Sequence, residues 1–399
     1  MTGTTSGPGG ADRPAPSAAP APAPGTPPRA SGLPQPAPGA GRYDRQITVP
    51  GVGADGQERL SAARVLCIGA GGLGAPAALY LAGAGIGTLG IVDDDVVELS
   101  NLHRQVIHRT ADIGAPKVES AARALTELNP DITVRAHRTR LGRDTVLDLI
   151  RDYDIVLDGS DNFETRYLVS DACTVLGIPH VWGAVLGAGG QLSVFDARRG
   201  PVYRDLYPDV PAPGSVPSCA EAGVLGVVPG VLGVAMAAEV LKLVLDYGTP
   251  LIGTVLVHDM RAGSWESVPL AANPDVRRPA DPSEVGAGIR SLVTVEQLAA
   301  ALGERDAGAR EFALLDVREP GEHAAAAIPG ARLVPLDRIL AGEDLPTPAG
   351  AEVFVHCRSG ARSARAAAAL SARGYRVHDV AGGIEAWARR IDPGLRIGP

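Results

Sequence analysis

Cysteine is scarce in this chain of 399 residues. There are four, Cys67, Cys173, Cys219 and Cys357, and the closest two, Cys173 and Cys219, lie 46 residues apart. That spacing excludes any C-x-x-C zinc or dithiol pair. In a chain this long it reads as reduced thiols of a cytoplasmic protein rather than a disulfide framework. Aromatic residues make up only 4%, so the cores must be built from Val, Leu, Ile and Ala. Positive charge is also short: 37 Lys and Arg stand against 45 Asp and Glu, a net charge of −8. A protein that coats nucleic acid needs clustered positive charge, so no nucleic-acid partner is expected. The first 40 residues hold no apolar segment of the kind a signal peptide carries. Residues 65–92 contain no charge, but eight glycines and Pro76 interrupt them. A bilayer helix wants a continuous apolar run, so this stretch reads as strand, glycine turn, helix and strand, with no membrane partner.

Glycine (50) and proline (34) are abundant and unevenly placed. Residues 1–40 hold 11 Pro, 7 Gly and 9 Ala. Such a segment buries too little surface to offset its chain entropy and reads as a disordered, partly polyproline-like tail. Residues 41–272 alternate strands (64–69, 88–92, 132–136, 155–158) with helices (73–84, from 117, 163–176). That alternation predicts a mainly parallel sheet covered on both faces, with antiparallel additions at 191–195 and 254–259. Residues 273–288 read as a linker suited to a swing of the unit that follows it. Residues 289–399 form a smaller α/β unit, with strands at 313–316, 353–356 and 377–380 and helices at 363–373 and 384–390.

Two clusters carry chemistry. In the first, Gly69-Ala70-Gly71-Gly72-Leu73-Gly74 follows a strand and opens a helix. Glycines there let backbone N–H groups approach a phosphate at a helix N-terminus. Asp93 ends the next strand, where a carboxylate takes ribose hydroxyls. Arg45, Lys117 and Arg166, one turn after Asp161-Asn162, supply more cations than a diphosphate bridge requires and suit a triphosphate. Asp161 stands at a strand end, where it suits Mg²⁺. An NAD-linked oxidoreductase is the alternative that the glycine run alone leaves open. In the second cluster, strand 353–356 runs into Cys357-Arg358-Ser359-Gly360-Ala361-Arg362, and a helix follows. Backbone N–H groups, the positive helix end and two arginines favour a thiolate there. A phosphatase would carry a seven-residue C-x₅-R loop. Here Arg362 is five residues after Cys357, and the tighter six-residue loop fits one extra sulfur atom.

The first region resembles the ubiquitin-activating-enzyme-like adenylyltransferases of the MoeB/ThiF/MoeZ group. The motifs are Arg42-Tyr43-Asp44-Arg45-Gln46, the glycine run, Asn101-Leu102-His103-Arg104-Gln105, Pro116-Lys117-Val118-Glu119 and Asp161-Asn162. The second resembles a rhodanese domain through Asp316-Val317-Arg318-Glu319, Ile328-Pro329-Gly330-Ala331 and Gly382-Gly383-Ile384-Glu385-Ala386-Trp387. Rhodaneses often carry His where this chain has Ala327.

The resemblance implies a Rossmann-like adenylation domain followed by an α/β rhodanese domain. It implies ATP and Mg²⁺ as cofactors and a ubiquitin-like sulfur-carrier protein ending in Gly-Gly as partner. Gly71, Gly72, Asp93, Ser100, Asn101, Leu102, His103, Arg104, Lys117, Asp161, Asn162 and Arg45 would surround the nucleotide, with Asp161 on Mg²⁺. Arg45 would reach into a neighbouring subunit, which implies a homodimer. Cys357 would carry a persulfide loaded from thiosulfate or a cysteine desulfurase, and Cys219 would act as a second thiol. Zinc-containing members carry two C-x-x-C pairs. Here the matching stretches read Val202-Tyr203-Arg204-Asp205 and Val276-Arg277-Arg278-Pro279, so no zinc is expected and other packing must hold that region. Adenylation without sulfur transfer, and a non-catalytic scaffold, are the remaining alternatives.

Overall fold

The structure, a computed structural model, describes residues 41–208, 210–211, 223–286, 291–345, 347–348 and 350–398. The expected tail at 1–40 and Cys219 lie outside the described residues.

The first sheet has eight strands: β1 (Arg64–Ile68), β2 (Thr88–Val92), β3 (Thr133–His137), β4 (Ile155–Asp158), β5 (His180–Leu186), β6 (Gly189–Phe195), β7 (Thr254–Asp259) and β8 (Ser264–Pro269). Their order is β3-β2-β1-β4-β5-β6-β7-β8. Pairing is parallel from β3 through β5 and antiparallel beyond. Gly187, at φ +59°, supplies the left-handed backbone for the tight β5–β6 reversal. Strand β1 is sandwiched between β2 and β4, so successive residues must bury on opposite faces. Val65 and Cys67 enter one core with Leu81, Ile91 and Leu232, whereas Leu66 and Ile68 enter the other with Val156, Leu168 and Val169. Cys67 and Cys173 are buried, one in each core, as small apolar residues. Burial alone pushes the Cys67 thiol up to about 12.

Among the described residues one helix, Val227–Leu245, has the length and apolar composition to cross a membrane. Its residues Val228, Leu232, Met236 and Val240 are buried in the first core, where it packs on helix Gly74–Ala84 and on β5 and β6. The order of connections reverses at β1: the chain moves outward to β2 and β3, then returns to β4 on the other side. In doubly wound sheets the crevice opens at this switch point, above the carboxyl ends of the strands.

The second sheet comprises β9 (Ser291–Val293), β10 (Ala313–Asp316), β11 (Arg332–Leu333), β12 (Glu352–His356) and β13 (Arg376–Val380) in the order β11-β10-β12-β13-β9, all parallel. Phe354 enters one of its cores with Leu314, Ile384 and Trp387, and Val353 and Val355 enter the other with Leu315 and Leu370. The central strand β12 delivers Cys357 at its carboxyl end.

The linker is anchored over most of its length to the first domain. Val285 is buried in the second core of the large sheet. Its carbonyl accepts from Arg143 Nε at 3.0 Å, and Gly286 N–H donates to Asp171 at 3.0 Å. Arg278 reaches back to Asp205 at 2.6 Å. These bonds correct the expectation of a freely swinging 273–288 segment: a buried apolar residue and paired charges tie 278–286 down.

Candidate functional sites

The first site is a cleft of about 280 Å³ above β1 and β4. Its floor is the glycine turn. Gly69 sits at φ +86°, where an L side chain is strained. Gly74 packs so closely on the Gly69 carbonyl that a Cβ there would collide with it. On the far side Gly159 and Ser160 leave β4, shaped by Asp158. The Asp158 carboxylate accepts from Ser160 N–H at 2.9 Å and faces His180 Nε2 at 3.3 Å. Burial acts to raise the Asp158 carboxyl, but these bonds win and hold it below its ordinary value.

Asp93 accepts the backbone N–H of Ala70 on one oxygen and that of Asp95 on the other, both at 2.9 Å, and so braces the glycine turn. Burial raises its carboxyl above the ordinary range, partly offset by Lys117. Lys117 starts helix Lys117–Leu128, is nearly buried, and donates to Asp95 at 2.8 Å. Arg104 lies on the cleft wall, its Nη1 on the Ser100 carbonyl at 2.9 Å. Asp161 and Asn162 sit at the exposed rim, where Asn162 caps helix Phe163–Leu176 by accepting Thr165 N–H at 2.9 Å.

The cleft thus gathers Gly71, Gly72, Asp93, Arg104, Lys117, Asp161 and Asn162. Ser100, Asn101, Leu102, His103 and Arg45 are not in its wall. Asn101 is buried and its side chain accepts Glu98 N–H at 3.2 Å, so it shapes the loop that presents Arg104. Arg45 is exposed on the short helix Asp44–Ile47. Arg166, expected one turn after Asp161-Asn162, is in the wall as well, and the structure adds Gln105 and Arg140. Arg166 is nearly buried; its guanidinium holds the Ser160 carbonyl at 2.9 Å and lies over the Phe163 ring. The side-chain oxygen of Gln105 is buried without a partner in this open cleft, so polar capacity is left for a ligand. Only the place of Arg140, just past a strand's carboxyl end, could have marked it in the sequence.

The second site is built on β12. The loop from Cys357 to Arg362 turns back on itself through Gly360, at φ +122°. Gly360 N–H donates to Cys357 Sγ at 3.1 Å, and helix Ala361–Ala372 begins directly after. Cys357 is 1% exposed. From the other side, helix Gly383–Arg390 packs its first turn on the loop: Ile384 N–H donates to the Cys357 carbonyl at 2.9 Å and Glu385 N–H to that of Arg358 at 3.1 Å. A Cβ on Gly383 would overlap both carbonyls. The two arginines expected to add positive charge are already paired, Arg358 with Glu385 at 2.9 Å and Arg362 with both oxygens of Glu322 at 2.5 and 2.7 Å.

Beneath the loop, buried Asp316 is forked by Arg318 and bonded by His323 Nδ1 at 2.8 Å. Burial opposes ionisation of Asp316, yet Arg318 and the histidines bring its carboxyl below the ordinary value. His323 lies one helical turn before Ala327, so Asp316 has a histidine partner although that position lacks one.

The two stretches that lack zinc ligands lie side by side. Arg278 Nη2 bonds Asp205 at 2.6 Å, and Asp205 also accepts Val202 N–H at 2.6 Å and Asn273 N–H at 2.9 Å. Arg204 forks onto buried Asp171 at 2.7 and 2.8 Å. The four positions that match the paired cysteines hold Val202, Asp205, Val276 and Pro279, and the ion pairs of Asp205 with Arg278 and of Asp171 with Arg204 hold this region together.

The sequence matches the ThiF family model over residues 43–279 and the rhodanese-like domain model over residues 294–390. It is 43% identical over 379 residues to the probable adenylyltransferase/sulfurtransferase MoeZ of Mycobacterium tuberculosis, covering 89% of this chain and 94% of that protein. It is 50% identical over 238 residues to a sulfur carrier protein adenylyltransferase of Thermus thermophilus, covering 58% of this chain and 88% of the relative. The crystal structure of E. coli MccB superposes with a TM-score of 0.53 at 22% identity, over 60% of this chain and 72% of that one, a likeness of fold.

Proposed function

The chain belongs to the ThiF family, in the branch that carries a rhodanese-like domain, and from that premise we propose that it activates the C-terminal glycine of a ubiquitin-like sulfur-carrier protein with ATP and converts it to a thiocarboxylate. One observation carries the reading: a single chain holds a glycine-floored cleft lined by Arg104, Lys117 and Arg166 and a six-residue loop whose Gly360 N–H points at Cys357 sulfur.

A free carboxylate is a poor electrophile at neutral pH. In the first step the carrier carboxylate attacks the α-phosphorus of ATP and pyrophosphate leaves. Arg104, Lys117 and Arg166 line the cleft and would take up the negative charge that shifts onto the leaving group, since preorganised cations in a partly buried cleft stabilise charge more than water does. The carboxylate of Asp161, a hard oxygen donor at the rim, fits Mg²⁺ bound through phosphate oxygens. Asp93, already accepting two backbone N–H bonds, has lone pairs left for a ribose hydroxyl.

In the second step the terminal sulfur of a Cys357 persulfide attacks the acyl-adenylate. AMP leaves and an acyl disulfide forms. A thiolate then attacks the Cys357 sulfur, releasing the carrier thiocarboxylate and leaving a disulfide on Cys357; Cys219 is one candidate for that thiol. The reading further assigns a homodimer with Arg45 serving the neighbouring subunit, and no structural zinc.

The test is intact mass of a Gly-Gly-ending carrier after incubation with the protein, Mg-ATP and a sulfane-sulfur donor. The expected product is heavier by the exchange of one oxygen for sulfur. Cys357→Ser should still release pyrophosphate and give no such gain. Pyrophosphate without a mass gain in the unmodified protein overturns the sulfur half, and neither product with any carrier overturns both.

A further inference from the structure

A sulfur-accepting loop that binds a free anion needs positive charge to spare, and the arginines of this one are occupied. Arg362 forks onto Glu322 of helix Pro320–Ala325, and Arg358 donates to Glu385 of helix Gly383–Arg390. Bidentate guanidinium–carboxylate geometry is the strongest form of such a pair. The pair holds the Glu322 carboxyl down at about 2 and raises the Arg362 guanidinium, so both are charged at neutral pH. Glu319 is a third carboxylate within electrostatic reach of Arg362. Arg318, a further cation within electrostatic reach of Glu322, is 1% exposed and committed to Asp316 and the Ala326 carbonyl. Both glutamates come from outside the loop, on the two helices that pack against it, so the neutralisation is built by the fold.

We propose that Glu322 and Glu385 are specificity residues that bar small free anions from Cys357 and leave it to accept sulfur from a donor that presents a persulfide on an uncharged thiol carrier. The inference rests on the sulfur-transfer reading above. With such a donor, the Cys357 thiolate attacks the outer sulfur of R–S–SH. A new S–S bond forms on Cys357, the R–S bond to that sulfur breaks, and the electron pair leaves with R–S⁻. The proton stays on the transferred sulfur, and no external oxidant is needed. With thiosulfate the same attack expels sulfite, but the incoming dianion meets guanidiniums whose charge is already cancelled. Opening the Glu322 pair frees one positive charge beside the loop. For a dianion at contact distance across a solvated mouth, that is worth about tenfold in capture after screening.

The experiment measures sulfur loading of Cys357 on the full chain, by intact mass and by thiocyanate release to cyanide, without ATP or carrier. The two probes are thiosulfate and a persulfidated peptide of no net charge. In the unmodified protein the peptide should have the higher kcat/KM. Raising salt should leave thiosulfate loading level or increase it. In Glu322→Gln the ratio of thiosulfate to peptide kcat/KM should rise about tenfold, through a lower KM for thiosulfate. Glu322→Asp, which keeps the charge, should hold the ratio near its original value. A thiosulfate preference in the unmodified protein, or a steep loss of thiosulfate loading with salt, overturns the proposal. So does an unchanged ratio in Glu322→Gln, or equal loss with both donors, which marks the pair as merely structural. If neither probe loads Cys357, the sulfur-transfer reading itself falls and takes the proposal with it.

Discussion

Arg278 donates to Asp205 at 2.6 Å, between two stretches far apart in the chain. The Asp205 side chain is 0% exposed and the Arg278 side chain 28%. Removing one partner of a buried pair leaves an uncompensated charge and costs about 3–5 kcal/mol. Two features reduce that here. Asp205 keeps two backbone N–H donors, from Val202 and Asn273, and Arg278 is partly in water, where the pair is screened. Arg278→Met should therefore cost about 2–3 kcal/mol. At about 2–4 °C per kcal/mol for a domain of this size, the adenylation-domain transition should fall by roughly 4–12 °C. Asp205→Leu combined with Arg278→Met should be much closer to the parent than the sum of the single changes, because the double variant leaves no buried charge. The assay is calorimetric melting of the full chain with and without EDTA, beside metal analysis. A melting point indifferent to chelator is expected. A loss below about 0.5 kcal/mol in Arg278→Met, the level of an ordinary surface change, would show that the pair carries no buried charge worth keeping. A chelator-dependent transition would reveal a metal in place of the ion pair.

Three further outcomes follow from the geometry. Lys117→Ala should lower carrier-dependent pyrophosphate exchange by about 10²–10³ in kcat, the scale of one lost preorganised charge; a change confined to KM would assign Lys117 to ground-state binding. Gly383→Ala should place a methyl against the Cys357 and Arg358 carbonyls at φ +54°, costing about 1–3 kcal/mol in strain. It should lower sulfur loading while pyrophosphate exchange persists. Burial lowers His356 from its ordinary 6.5 to about 4. The unfolded chain therefore binds the extra proton between those values, so stability is full above pH 6.5 and falls as pH drops toward 4. The loss is at most about 3 kcal/mol by linkage. Urea midpoints of the rhodanese transition should decline across that window, and less steeply in His356→Gln; an unchanged slope would exclude His356 as the source.

Much of the adenylation cleft was legible because its chemistry is local. A glycine run between a strand and a helix needs only neighbouring residues to form, and Asp93 lies a single strand away. Arg104 and Lys117 stood out through their motifs. Arg140 did not, because it reaches the cleft only when β3 is placed two strands from β1. Ser100, Leu102 and His103 shared a motif with Arg104 yet lie outside the cleft wall, since a short 3₁₀ turn at Leu99–Asn101 presents only part of that segment. The linker looked free because proline and charge suggest solvation. Its tethers, Asp171, Arg143 and Asp205, are 73 or more residues away in the chain.

By itself the sequence determined the two α/β units, the glycine cradle and the six-residue cysteine loop, because backbone conformation there follows from glycine placement and strand–helix periodicity. Tertiary structure alone decided the electrostatics. Glu322 is 40 residues from Arg362, and Glu385 is 27 from Arg358. Arg278 is 73 from Asp205. The net effect of a charge depends on the partner and burial it meets, and those contacts exist only once strands distant in the chain have been brought together.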